Sequence, residues 1–209
     1  MTDAQCADVL TRVRARWHAE EGWQLTLEGQ ELQRIGQSSR YVHKLGDRPY
    51  VVKVDHGHSP AQSWHEWWFW NHTVKGSDLA HMFAPTRAIS LQGYDHEYPG
   101  LTDSYRWVRV MSLQEHVNDG RPHVKPPQMV VADDVVRPIL KRWRLADVCS
   151  RQCVYDAKRG HYVLVDYGIT CDYYATGAVE RERVRQVIFE EVRTSEKVLV
   201  NPILTDSTQ

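Results

Sequence analysis

An α+β fold of two unequal lobes is what this sequence predicts. Residues 1–116 should form an antiparallel sheet with an N-terminal helix, 117–127 a linker, and 128–209 a reduced, mainly helical lobe. Three observations lead there. Residues 23–55 alternate apolar and polar positions between turn residues, the period-two pattern of short antiparallel strands. Residues 3–21, 61–75, 128–146 and 177–198 carry apolar positions at helical spacing. Gly120, Pro122, Pro126 and Pro127 gather between the two halves, where a boundary belongs.

The elements follow in order. Val9, Leu10, Val13 and Trp17 place one apolar stripe on the helix 3–21. WQLTLEG at 23–29 alternates and ends at Gly29. The stretch 31–55 reads as three strands, about 31–36, 40–45 and 50–54. They are joined by the Gly36-Gln37-Ser38-Ser39 turn and by Gly46-Asp47-Arg48-Pro49. Gly57 and Pro60 break the chain, and Pro60 suits the first turn of the helix 61–75. Ala84-Pro85 opens a strand at 86–91, and YRWVRVM at 105–111 alternates as another. In the second lobe Pro138 is expected to kink or split the helix 128–146. Residues 153–155 and 161–165 read as short strands around the Ala157–Gly160 turn. Residues 177–198 read as a charged amphipathic helix, and the tail from Asn201 as loose chain.

Composition excludes several classes of function. Hydrophobic residues make up 42% and charged residues 25%, which is globular rather than disordered. Lys and Arg total 26 against 27 Asp and Glu, so no net field favours nucleic acid. No apolar run approaches the roughly 20 residues that span a bilayer. The charged start MTDAQCADVLTRVRAR lacks a signal-peptide core. Cys6, Cys149, Cys153 and Cys171 show no disulfide spacing, and a reduced cytoplasmic protein is expected. Zinc at Cys149, Cys153 and His161 fits poorly, since the spacing lacks a fourth ligand. Four of the eight tryptophans fall in SWHEWWFW, 63–70, and are expected to pack the core and the seam between lobes.

Three features suggest chemistry. The glycine-containing turn at Gly36, Ser38 and Ser39 would let backbone N–H groups approach phosphate oxygens. Lys53 lies inside Val51-Val52-Lys53-Val54, and a lysine in so apolar a strand needs a carboxylate or a phosphate. Val52 and Val54 take the opposite strand face, which turns Lys53 toward a cleft. Asp166-Tyr167-Gly168 follows an apolar strand, and an aspartate there offers a hard oxygen to Mg²⁺.

In this order the residues resemble the protein kinase-like family. VVKV resembles the kinase strand-three lysine motif, and Asp166-Tyr167-Gly168 resembles its metal-binding Asp-Phe-Gly. Glu66, the acidic residue of the helix 61–75, falls where the helix glutamate would pair with Lys53. Asp147-Val-Cys-Ser-Arg-Gln152 resembles the catalytic loop. Lys53 and Asp147 lie 94 positions apart, Asp147 and Gln152 5, and Gln152 and Asp166 14. The resemblance covers roughly residues 30–170. It implies an α+β, two-lobed kinase-like fold that binds ATP and Mg²⁺. Gly36, Ser38, Ser39, Lys53 and Glu66 would bind the nucleotide, with the backbone around Met111 and Leu113 meeting adenine at a hinge. Asp166 and Gln152 would hold the metal. Lys53 would orient the phosphates, and Asp147 would accept the proton of a substrate hydroxyl.

The chain departs from the family in several places. One glycine stands where the phosphate loop usually has three. Leu145 and Ala146 replace the His-Arg before the catalytic aspartate, Gln152 replaces asparagine, and only 41 residues follow Gly168. So short a chain is similar to the small atypical serine/threonine kinases of T-odd podovirus bacteriophages, which act on proteins of the host cytoplasm. Two other readings use the same fold: an inactive module that binds and blocks a host protein, and a phosphotransferase of the aminoglycoside-kinase type acting on a small molecule. Neither nucleic acid nor membrane is expected as a partner, and the oligomeric state is left open.

Overall fold

A computed structural model describes residues 1–18, 20–37, 40–55, 62–93, 108–117, 127–143, 145, 148, 152–168 and 197–200. The fold is α+β, with antiparallel sheets and few helices.

The first helix, α1 (Asp3–Arg12), starts on a capping box in which Thr2 and Gln5 satisfy each other's backbone N–H. It is shorter than the helix expected over 3–21. At Val13 the chain turns extended and becomes β1 (Val13–His18), which pairs with β2 (Gly22–Leu27) and, through it, with β3 (Gln30–Glu31). Val13, Ala15 and Trp17 also fit a period of two. The long-range Trp17 contacts with Trp23, at 5.4 Å, and with Tyr41, at 6.2 Å, decide for the strand. Gly22 makes the turn possible. Its φ is +77°, and the Tyr41 ring lies where a Cβ would stand.

A six-stranded sheet follows. Its members are β4 (Arg34–Gln37), β5 (Arg40–Lys44), β6 (Tyr50–Asp55), β7 (Thr86–Gly93), β8 (Val108–Glu115) and β11 (Lys197–Val200), in the spatial order β11-β7-β8-β6-β5-β4. Between β6 and β7 run α2 (Gln62–Phe69), a π-helical turn (Trp70–Val74) and a short 3₁₀ turn (Ala80–Met82). After β8 come α3 (Pro127–Arg142) and the hairpin of β9 (Cys153–Asp156) and β10 (His161–Leu164). Of the kink or split expected at Pro138, the split does not occur: α3 runs through Pro138 as one helix. Lys197 and Val198, expected to close a helix, belong to β11. They pair with Leu91 and Ser90 of β7, at the edge of the six-stranded sheet.

Two apolar clusters cover opposite sides of the sheet. Residues of α1, β1 and β2 pack with Tyr41, Val52, Val54, Met111 and Leu113 on one side. On the other, Phe69, Trp70 and Phe83 pack with Ile139, Leu164 and Tyr167, joining α2 to α3 and β10. Trp64, Trp67 and Trp70 are buried as expected, whereas Trp68 is exposed. A backbone bond, Ala84 N–H to Leu164 O at 2.9 Å, lies beside the parallel bridge Phe83–Leu164 and ties β10 to the chain entering β7. Among the described residues no helix is long and apolar enough to cross a membrane.

Candidate functional site

β6 lies between β5 and β8, and every residue of it is buried. Strand alternation sends Val52 and Val54 into the α1 core, and Val51, Lys53 and Asp55 to the other face. Opposite them on β5, in register, stand Val42 against Lys53 and Arg40 against Asp55. Two cations, Lys53 and Arg40, therefore share one buried face.

Glu66 answers both. Its α2 position is wholly buried, and its carboxylate accepts bonds from Lys53 Nζ at 2.9 and 3.0 Å and from both terminal nitrogens of Arg40 at 2.8 and 3.2 Å. The Tyr167 N–H adds a fifth bond, at 3.3 Å. Lys53 Nζ also donates to the Val165 carbonyl at 2.5 Å. One residue on, Asp166 takes Arg40 on Oδ1, with the Gln62 amide 3.4 Å away. Asp55 anchors the start of α2, accepting the Ser63 N–H at 3.1 Å and the Ser63 hydroxyl at 2.6 Å. The predicted pair Lys53–Glu66 thus forms, and Asp166 joins it.

Burial and charge compete throughout this network. Burial would raise the Glu66 carboxyl, but Arg40 and then Lys53 outweigh it and hold the carboxyl below its ordinary value. Burial lowers Lys53, and neighbouring Arg40 lowers it further. Burial would lower Arg40 as well. Asp166 and Glu66 overcome it and keep the guanidinium charged. Asp55 goes the other way: burial, against Arg40 and the Ser63 bonds, pushes it up to about 8.

A cavity of about 220 Å³ opens beside these groups, lined by Ile35, Val42, Val51, Val154 and Val165, with Lys53, Arg40 and Asp166 at its polar side. Gln114 to Val117 form a further wall. The volume falls below the roughly 300 Å³ at which drug-sized pockets begin, so these walls suit a ring-sized group. The walls are apolar, and two cations, Lys53 and Arg40, stand at one end.

A divalent metal fits less well. A hard cation gathers several oxygen ligands. The two carboxylates lining the cavity are both engaged by arginines, Asp166 by Arg40 and Glu115 by Arg87 and Arg159. Among the described residues no group of three His, Cys, Asp or Glu could hold a metal ion.

The other expected site residues fall differently. Gly36 lies within β4 opposite Val42, and Ser38, Ser39 and Asp147 lie outside the described residues. A Cβ on Gly36 would meet Val42 at an ordinary 3.5 Å, so close packing does not demand glycine there. Met111 and Leu113 sit in β8, not in a hinge. Their fully buried side chains face the α1 cluster, and the chain meets the cavity from the next residue, Gln114. Gln152 accepts the Val165 N–H on its backbone carbonyl at 2.9 Å and does not line the cavity. Arg40 was not anticipated. Its signal was faint: an arginine two residues before Val42, on the face that alternation assigns to the cleft.

No protein-family model and no curated protein matches this chain. Whatever it does must be argued from these residues.

Proposed function

We propose that the chain is a small kinase-like phosphotransferase that binds ATP in the cavity beneath β4, β5 and β6. One observation carries the reading. The buried Lys53–Glu66 pair joins the sheet's third strand in chain order to the helix that follows it, with Asp166 beside it. Protein kinases need a lysine on the third strand paired with a helix glutamate, and an aspartate next to both.

In this reading Ile35, Val42 and Val51 pack against the base, and the chain at Gln114–Val117 runs along its edge. Lys53 holds phosphate oxygens, and Glu66 holds Lys53. Transfer breaks the bond between the γ-phosphorus and the oxygen of the ADP leaving group. A bond to the acceptor hydroxyl oxygen forms, and Asp147 takes the hydroxyl proton. The acceptor, a serine or threonine of a host protein, rests on the family resemblance alone. A second reading, a kinase-shaped module that binds a host protein without transfer, is favoured by one feature: Arg40 already occupies Asp166.

Lys53→Ala tests the reading. Arg40 still answers Glu66 in the variant, so it should fold. Losing a charge-assisted contact should weaken ATP binding roughly ten- to a hundredfold and abolish label transfer from γ-labelled ATP. A folded Lys53→Ala protein that binds and transfers like wild type sinks the assignment. Wild type that binds ATP but labels nothing in a bacterial lysate promotes the second reading.

A further inference from the structure

Arg40 is 2% exposed, yet it lines the cavity and bridges two carboxylates from distant parts of the chain, Glu66 and Asp166. Three of the five guanidinium N–H groups go to them. Glu66 is wholly buried, so withdrawing Arg40 would leave a buried carboxylate with one partner fewer. Arg40 is therefore a fixed part of the site, not a side chain that swings aside.

That position has a consequence for the ligand. A polyphosphate and Asp166 repel each other unless a cation lies between them. In a kinase-like cleft a divalent ion supplies that charge. Here the guanidinium already lies against Asp166, on the same sheet face as Lys53 and one strand away. The formal charges balance without an ion: Lys53 and Arg40 against Glu66 and Asp166.

We propose that Arg40 takes the place of the divalent cation at Asp166, so that nucleotide phosphates bind to Lys53 and Arg40 together without any requirement for metal. The proposal rests on the nucleotide-binding reading and assigns Asp166 the task of positioning Arg40. Guanidinium suits it, because its planar fork can face a carboxylate with one edge and a phosphate with another.

Calorimetric titration of the whole chain with ATP, once in Mg²⁺ and once in EDTA, tests it. The expected dissociation constants agree within about threefold. Arg40→Ala should weaken binding in EDTA roughly ten- to a hundredfold. Arg40→Lys, which keeps the charge and folds more safely, should lose part of that. Asp166→Asn should tighten binding in EDTA severalfold, because it removes the negative charge that competes for Arg40. Binding that appears only with Mg²⁺, and disappears in Asp166→Asn, overturns the proposal and leaves the nucleotide reading standing. No heat with ATP in either buffer overturns both.

Discussion

Asp55 shows how a single residue can carry two roles. Its carboxyl holds the start of α2, and α2 carries Glu66 to Lys53. Arg40 and Glu66 are its charged neighbours, and burial raises it from 3.8 to about 8. A folded value above the unfolded one means that stability is lost as pH rises between them. His43 and His65 act in the opposite direction. Burial lowers both from 6.5 to about 4, so their contribution rises with pH and levels off above 6.5. Above pH 6.5 the two histidines no longer titrate, and Asp55 should then lower stability toward pH 8 by up to about 1.4 kcal/mol per pH unit relative to Asp55→Asn. Urea unfolding of both proteins from pH 6 to 8.5 checks this, and parallel curves refute it. Lys53 and Asp166 were legible in the sequence because a charge stood inside or at the end of an apolar strand, and Glu66 because the resemblance to the kinase-like family implied a partner for Lys53 there. Arg40 was not, because its partners lie 26 and 126 residues away.

At the scale of elements, the segment after β10 is held by three consecutive residues. Asp166 faces the cavity, and the Tyr167 hydroxyl, fully buried, donates to the Ala84 carbonyl at 2.6 Å. Gly168 presses on the first residue of α2, where an added Cβ would stand 2.4 Å from the Gln62 carbonyl oxygen. That oxygen is backbone and cannot rotate away. Gly168→Ala should therefore push α2 or the segment aside, at a cost of about 1–3 kcal/mol in urea unfolding. Unchanged stability would show that the two do not touch so closely. The sequence marks Gly168 as turn chemistry. Its contact with α2, 106 residues back in the chain (168 minus 62), is a packing fact that no local pattern encodes.

Across the whole molecule, the candidate site sits on a seam. Arg40, Lys53 and Glu66 come from β5, β6 and α2, Val165 and Asp166 from the segment after β10, and the Ala84–Leu164 bond closes the join. A ligand held by both parts should stabilise the fold as one unit. At ATP a hundred times its dissociation constant the gain is about 2.7 kcal/mol. For a chain of 209 residues that raises the melting temperature by roughly 5–10 °C. Differential scanning fluorimetry with ATP reads the shift directly, and free ribose, which lacks both base and phosphate, serves as a control. No shift at saturating ATP argues against the cavity as a nucleotide site.

Local chemistry in the sequence determined the mixed α+β class, most of the strands, the helix that carries Glu66, and the acid and lysine of the site. Alternation, turn residues and charge inside apolar runs all act over a few positions, so they can be read from neighbours. Where two periods fitted the same residues, as in Val13 to His18, tertiary contacts with Trp23 and Tyr41 chose the strand. The pairing of β11 with β7, the inward turn of Met111 and Leu113, and the seat of Arg40 between Glu66 and Asp166 were likewise decided by the fold. Each depends on which distant segments share a buried surface, and the cost of leaving a charge or a strand edge unpaired there is settled only when those segments meet.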